Sequence, residues 1–115
     1  MSLLLLGCDS YIPISITNKK NEVIKVCIKE NTHFLSDKQP KLKTKDGFSV
    51  YELASGERME IGDAIAELDN DIPFYSIRIC TSNDTISRNT HEDIKALFDK
   101  KTFGGLQTPY NISVK

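Results

Sequence analysis

Three cysteines carry most of the chemistry this chain offers, and the first has the most telling neighbours. Leu5-Leu6-Gly7-Cys8, followed by Asp9, sets two aliphatic residues and one small residue ahead of a thiol. That order reads as the lipobox of a bacterial lipoprotein, at which a diacylglycerol is transferred to the sulfur and a peptidase at the membrane surface then cuts before the cysteine, here between Gly7 and Cys8. The small Gly7 lets the backbone approach the peptidase, and the leucines hold the site in the apolar boundary. A complete export signal also has a charged segment and about 7–15 apolar residues, whereas Met1-Ser2 and four leucines stand here. The competing expectation is the first buried strand of a cytosolic domain. The abrupt change from leucines to polar Asp9-Ser10 favours the lipobox. On that reading residues 1–8 are the remnant of a signal peptide, and residues 9–115 form one globular domain. No other run approaches the roughly 18 apolar residues of a membrane helix, so lipid on Cys8 is the expected anchor.

The other two thiols, Cys27 and Cys80, form an even pair suited to an oxidising compartment. Each lies in an apolar, β-like run, Val23-Ile24-Lys25-Val26-Cys27-Ile28-Lys29 and Phe74-Tyr75-Ser76-Ile77-Arg78-Ile79-Cys80. A disulfide between them would close a loop of roughly 54 residues and stabilise by about 4 kcal/mol in the chain-entropy model. The alternative is two separate buried thiols packed as small hydrophobes.

The remaining polar residues give no catalytic pattern. His33 and His91 have no second His or Cys at metal-ligand spacing, and each reads as a solvated side chain. Asp69-Asn70-Asp71 lacks the glycine and the distant bidentate Glu of a calcium loop and reads as a turn. Glu92 and Asp93 are adjacent on a helix and diverge, so they form no acid–base pair. Asn83-Asp84-Thr85 and Asn111-Ile112-Ser113 match a glycosylation sequon, which is coincidental on the bacterial reading that the lipobox implies. No catalytic residue, metal or cofactor is expected. The net charge of −1, with both signs interspersed, gives no electrostatic case for nucleic acid. Lys41, Lys43 and Lys45 alternate as on one strand face; an edge strand guarded by lysines is favoured over attraction to anionic lipid or an acidic partner.

The elements that must position these groups are mostly strands. Ile12, Ile14 and Ile16 alternate with polar or proline positions, the period of a half-buried strand. Asn18-Lys19-Lys20-Asn21 makes a turn into the Cys27 strand. Residues 30–47 form a long polar segment, residues 48–53 a third strand, and Met59 with Ile61 a short fourth. Residues 65–68 are ambiguous between strand and helical turn. After the Cys80 strand, residues 81–89 read as a loop. Thr90 with Asp93 resembles a capping box, and Ile94, Leu97 and Phe98 then form one apolar stripe on a helix over residues 90–99. Tyr110, Ile112 and Val114 alternate as a final strand. With 115 residues there is room for a single core. The expected fold is mainly β, a small antiparallel sandwich with one short helix near the C-terminus.

The lipobox, the Ile14-Ser15-Ile16-Thr17 strand and the Val26-Cys27-Ile28 strand resemble small periplasmic lipoproteins of enteric bacteria, some of them assigned as immunity proteins against type VI secretion effectors. Tyr51-Glu52-Leu53 and Cys80 fit the same layout. The resemblance implies an Ig-like sandwich, a periplasm-facing location in the cell envelope, and inner-membrane retention signalled by Asp9. It implies a non-enzymatic, lipid-anchored protein whose partner is another protein. That partner would be an envelope-acting toxin or effector that it neutralises, or, alternatively, a component of an envelope machine that it helps assemble. Recognition is expected on loops, with Phe34 and Leu35, apolar residues among polar neighbours, as the partner-binding candidates. The opposing expectation for both is that they tuck back under their own loop.

Overall fold

The computed structural model describes residues 11–65, 68, 71–100 and 110–115. Alternation is the local rule that builds it. In β1 (Tyr11–Asn18) Ile12, Ile14 and Ile16 are buried, and in β2 (Ile24–Glu30) Ile24, Val26 and Ile28 are buried. The same parity continues through β4 (Ser49–Leu53), β6 (Phe74–Cys80) and β8 (Tyr110–Val114), joined by the short strands β3 (Leu42–Lys43) and β7 (Thr85–Arg88) and by β5 (Arg58–Ile65).

These strands form two sheets, one ordered β5-β1-β8 and one ordered β3-β4-β2-β6-β7. Their inner faces meet in one core that includes Ile14, Ile16, Val26, Ile28, Tyr51, Leu53, Met59, Ile61, Ile77, Ile79 and Ile112. A mainly β, sandwich-like fold with one short helix near the C-terminus is therefore what the sequence makes. One pairing departs from the antiparallel expectation: β8 runs parallel to β1, Ile16 opposite Ile112. Alternation is the same for either direction, so the sequence carries no sign of it.

Strand β5 needs a correction of phase. Its register with β1 slips between Ile14 and Ser15, so that Ile14 faces Gly62 and Ser15 faces Glu60, with Ile61 the extra residue of a bulge. Burial accordingly switches from Met59 and Ile61 to Gly62 and Ala64. Without that slip the alternation set by Met59 and Ile61 would carry Asp63 into the core, which is why the pattern looks like a strand of only a few residues.

The polar stretch 30–47 contains β3, an edge strand beside β4, with Lys41, Lys43 and Lys45 exposed and Lys41 3.5 Å from Glu52, in line with the lysine-guarded edge expected there. Two other segments differ from expectation. Residues 81–89 are not one loop. Thr81 N–H donates to Asp84 O at 2.8 Å, turning the chain so that Thr85-Ile86-Ser87-Arg88 pairs with β6. The helix is shorter than residues 90–99. It runs as α1 (His91–Lys95), capped by the Thr90 hydroxyl, which accepts from Asp93 N–H at 3.2 Å. It stops because Phe98 bridges to Ile112 and Asp99 N–H donates to Asn111 O at 2.8 Å, which pulls the chain into extended form. Ile94, Leu97 and Phe98 still pack on the core.

Gly62 is fixed by more than the bulge. It has a φ of 157°, and a Cβ there would lie 3.3 Å from His33 O and 3.4 Å from Pro73 Cβ. We expect Gly62→Ala to destabilise the domain by about 1–3 kcal/mol, read as a lower urea midpoint at unchanged slope; an unchanged midpoint would show that neither the strain nor the crowding is real.

Candidate functional site

Strand directions bring distant loops together. The β1–β2 turn, the β4–β5 turn and the β6–β7 turn lie at one end of the sandwich. The start of β1, the segment after β2, the start of β6 and helix α1 lie at the other. At that second end a cleft of about 520 Å³ is lined by Asn31, Thr32, His33, Tyr75, Asn89 and His91 over apolar Ile72, Phe74 and Ile94. The two histidines, far apart in sequence and each read there as solvated, therefore border one cavity.

Their placement follows from local bonds. The Asn31 side chain accepts from His33 N–H at 2.8 Å and donates to Ile72 O at 2.9 Å, tying the chain after β2 to the chain before β6. Asn89 Oδ1 accepts from the Ser76 hydroxyl at 2.9 Å, and His91 follows directly on the Thr90 cap. Among the described residues no hydrogen bond occupies the imidazole nitrogens or Asn89 Nδ2, which leaves them able to bond a polar ligand. Among the described residues no group of three His, Cys, Asp or Glu converges as a metal site.

The opposite end has a groove of about 350 Å³ lined by Ile79, Ile86, Leu97, Ile112 and Val114, with Lys20, Asp84, Asp99 and Lys115 at its margin. Asp99 and Ser113 at that margin belong to a structural hydrogen-bond network behind it. Asn111 Oδ1 accepts from the hydroxyls of Ser15 (2.9 Å) and Thr17 (2.8 Å), and Asn111 Nδ2 donates to Ser113 Oγ (3.0 Å) and Asp99 (3.3 Å). Burial works against the Asp99 carboxylate. Hydrogen bonds from Ser113 and Asn111, with Lys115 and Lys19 nearby, nonetheless hold its pKa below the ordinary value.

The residues singled out in the sequence fall as follows. Cys8 and Asp9 lie outside the described residues. Cys27 and Cys80 stand on neighbouring strands β2 and β6 as free thiols, on the same outer face but one step out of register: Cys27 faces Arg78 and Cys80 faces Lys25. Burial, and then the adjacent Cys80, push the Cys27 thiol above its ordinary pKa, with Arg78 and Lys25 opposing. Phe34 turns inward. It packs against the core, its ring 6.0 Å from that of Tyr51, whereas Leu35 remains 70% exposed. Tyr51 is itself buried with its hydroxyl 3.2 Å from Glu30, and burial followed by the Glu30 charge pushes its pKa up to about 12. Leu35 also serves the frame through its backbone: its N–H donates to Ile61 O at 3.0 Å, covering the outer edge of β5.

No family model, curated protein or solved structure matches this chain.

The split between Phe34 and Leu35 has a direct consequence. Phe34→Ala is expected to cost about 2 kcal/mol, somewhat less than truncation of a fully buried Phe. Leu35→Ala should stay within about 0.5 kcal/mol, as exposed positions do. Paired denaturant titrations check both, and equal losses would contradict the inward placement of Phe34.

Proposed function

We propose that this chain is a non-enzymatic, lipid-anchored protein of the bacterial envelope that binds a protein partner and neutralises an envelope-acting toxin or effector. The observation that carries the reading is Leu5-Leu6-Gly7-Cys8-Asp9 immediately ahead of a small β domain. From Cys8 to Tyr11, where β1 begins, is at most about 11 Å of extended chain. Lipid on Cys8 would hold the end bearing the His33–His91 cleft against the bilayer, with Asp9 as the inner-membrane retention signal. The opposite turns and the outer sheet faces would then look into the periplasm. A short tether of this kind suits a protein that intercepts a partner close to the membrane. Of the two loop residues expected to bind, Leu35 is the one whose side chain a partner can reach.

Export also bears on the thiols. In an oxidising periplasm we expect Cys27 and Cys80 to close, which requires a small slide of β6 along β2, since diagonal neighbours sit about 7–8 Å apart and a disulfide spans about 4.4–6.8 Å between Cα atoms. Intact mass of periplasmic protein, alkylated with and without prior reduction, should show two protected thiols. Two freely alkylated thiols would leave them as packing residues.

The reading is tested in cells that make the protein with a complete export signal. A palmitate analogue should label the wild type and not Cys8→Ser, and the wild type should rescue growth when the product of the adjacent gene is sent to the periplasm. Equal labelling of both forms removes the lipid anchor. Labelling of the wild type without rescue from the product of any neighbouring gene removes the immunity role.

A further inference from the structure

The outer face of the five-stranded sheet is neither fully polar nor evenly charged. One register row crosses all five strands: Leu42 on β3, Val50 on β4, Cys27 on β2, Arg78 on β6 and Ser87 on β7. Val50 and Cys27, with Phe48 just before β4, form a small apolar cluster separate from the core, each no more than 9% exposed. What shields this cluster is cationic. The Arg78 guanidinium lies over the Phe48 ring, 4.9 Å from its centroid, and Lys29 Nζ approaches the same ring at 5.9 Å. Lys25 is exposed on the same face, two residues before Cys27.

Arg78 has no hydrogen-bond acceptor and no ion-pair partner among the described residues. Glu52 pairs with Lys41. Asp46 accepts a hydrogen bond from the Thr44 hydroxyl, and the charges of Arg78 and Lys29 also help to hold its pKa down, although it forms no ion pair with either among the described residues. Around a half-buried guanidinium, then, Lys25, Lys29 and Lys41 outnumber Asp46 and Glu52, although the chain as a whole carries a net charge of −1. A guanidinium stacked on an aromatic ring has already lost much of its rotamer freedom. Its fork of N–H donors matches a carboxylate in bidentate geometry. Arg78 differs in this from Arg88, whose guanidinium donates to Ser87 O at 2.9 Å, and from exposed Arg58, which has no aromatic platform among the described residues.

We propose that Arg78, flanked by Lys25 and Lys29 on the Phe48 platform, is a carboxylate-binding site through which this sheet face engages an acidic protein surface. The proposal rests on the protein-binding reading above and adds the face and the chemistry of the partner. Leu42, 55% exposed at the end of the same row, supplies apolar contact beside the charged centre.

The site is testable without a known partner by following the arginine Nε–H and backbone amide resonances of the whole domain while adding a deca-glutamate peptide. Saturable shifts are expected at Arg78, Lys25 and Lys29. Arg78→Gln should weaken binding about tenfold or more, the loss of one charge-assisted bond. Arg78→Lys should restore only part of it, and Arg58→Gln should leave it unchanged. An unshifted Arg78, or an equal loss in Arg58→Gln, would overturn the proposal by showing a diffuse charge effect. Shifts at Arg78 with phosphatidylglycerol vesicles but not with the peptide would overturn it in favour of a lipid surface. This outcome is independent of the rescue assay: rescue that survives Arg78→Gln removes the site and keeps the protein-binding role, whereas peptide binding without rescue keeps the site and removes the immunity role.

Discussion

One side-chain amide closes the sandwich. Asn18, at the end of β1, is fully buried, and its Nδ2 donates to the carbonyls of Glu22 (2.7 Å), Leu53 (3.0 Å) and Ala54 (3.0 Å) while its Oδ1 accepts from Lys20 N–H (2.9 Å). Its backbone is held as well, N–H to Glu57 O at 2.9 Å and O from Gly56 N–H at 2.7 Å. The two connections it grips, β1 to β2 and β4 to β5, are both places where the chain crosses between sheets. A buried polar group left without a partner costs about 1–3 kcal/mol. The position therefore tolerates neither an apolar residue nor a loosened turn.

With the crossings fixed, the rest of the frame concerns edges. The chain around Leu35–Asp37 lies along the outer edge of β5, Asp37 N–H donating to Glu60 O at 3.3 Å, and Phe34 pins that segment to Tyr51. β3 is two residues long and carries lysine, and the Phe98 bridge and Asp99 lie along β8. Short, charged or covered edges resist pairing with other chains. The surfaces left for recognition are the outer face of the larger sheet, the groove between β7 and β8, and the histidine cleft.

Much of this was legible in the residues because burial on one face of a strand writes itself as alternation. The Cys80 strand is seen residue for residue, and the strand at residues 110–114 likewise. Features that depend on register were not legible. The bulge at Ile61 reverses the parity midway along β5, the parallel direction of β8 leaves no local trace, and Thr85 and Ile86 are too short a run to announce β7. The helix stripe was correct in which residues pack, yet its end is set by a bridge to a strand that follows later in the chain. For the sites, alternation in Phe74–Cys80 puts Arg78 and Cys80 on one outer face. The Phe48 platform under Arg78, and the meeting of His33 with His91, exist only once the strands are in register. Asn18 looked like an ordinary turn residue, and its burial is a tertiary fact.

The frame's dependence on that amide has one direct test. Asn18→Asp keeps the shape and the acceptor for Lys20 N–H but removes both donated hydrogens, so no cavity confuses the result. Equilibrium urea unfolding near neutral pH should show a loss of at least about 3 kcal/mol, since several carbonyls lose their donor and a carboxylate is buried among them. A loss within about 0.5 kcal/mol, the range of a surface substitution, would contradict the claim that this side chain holds the two sheet crossings together.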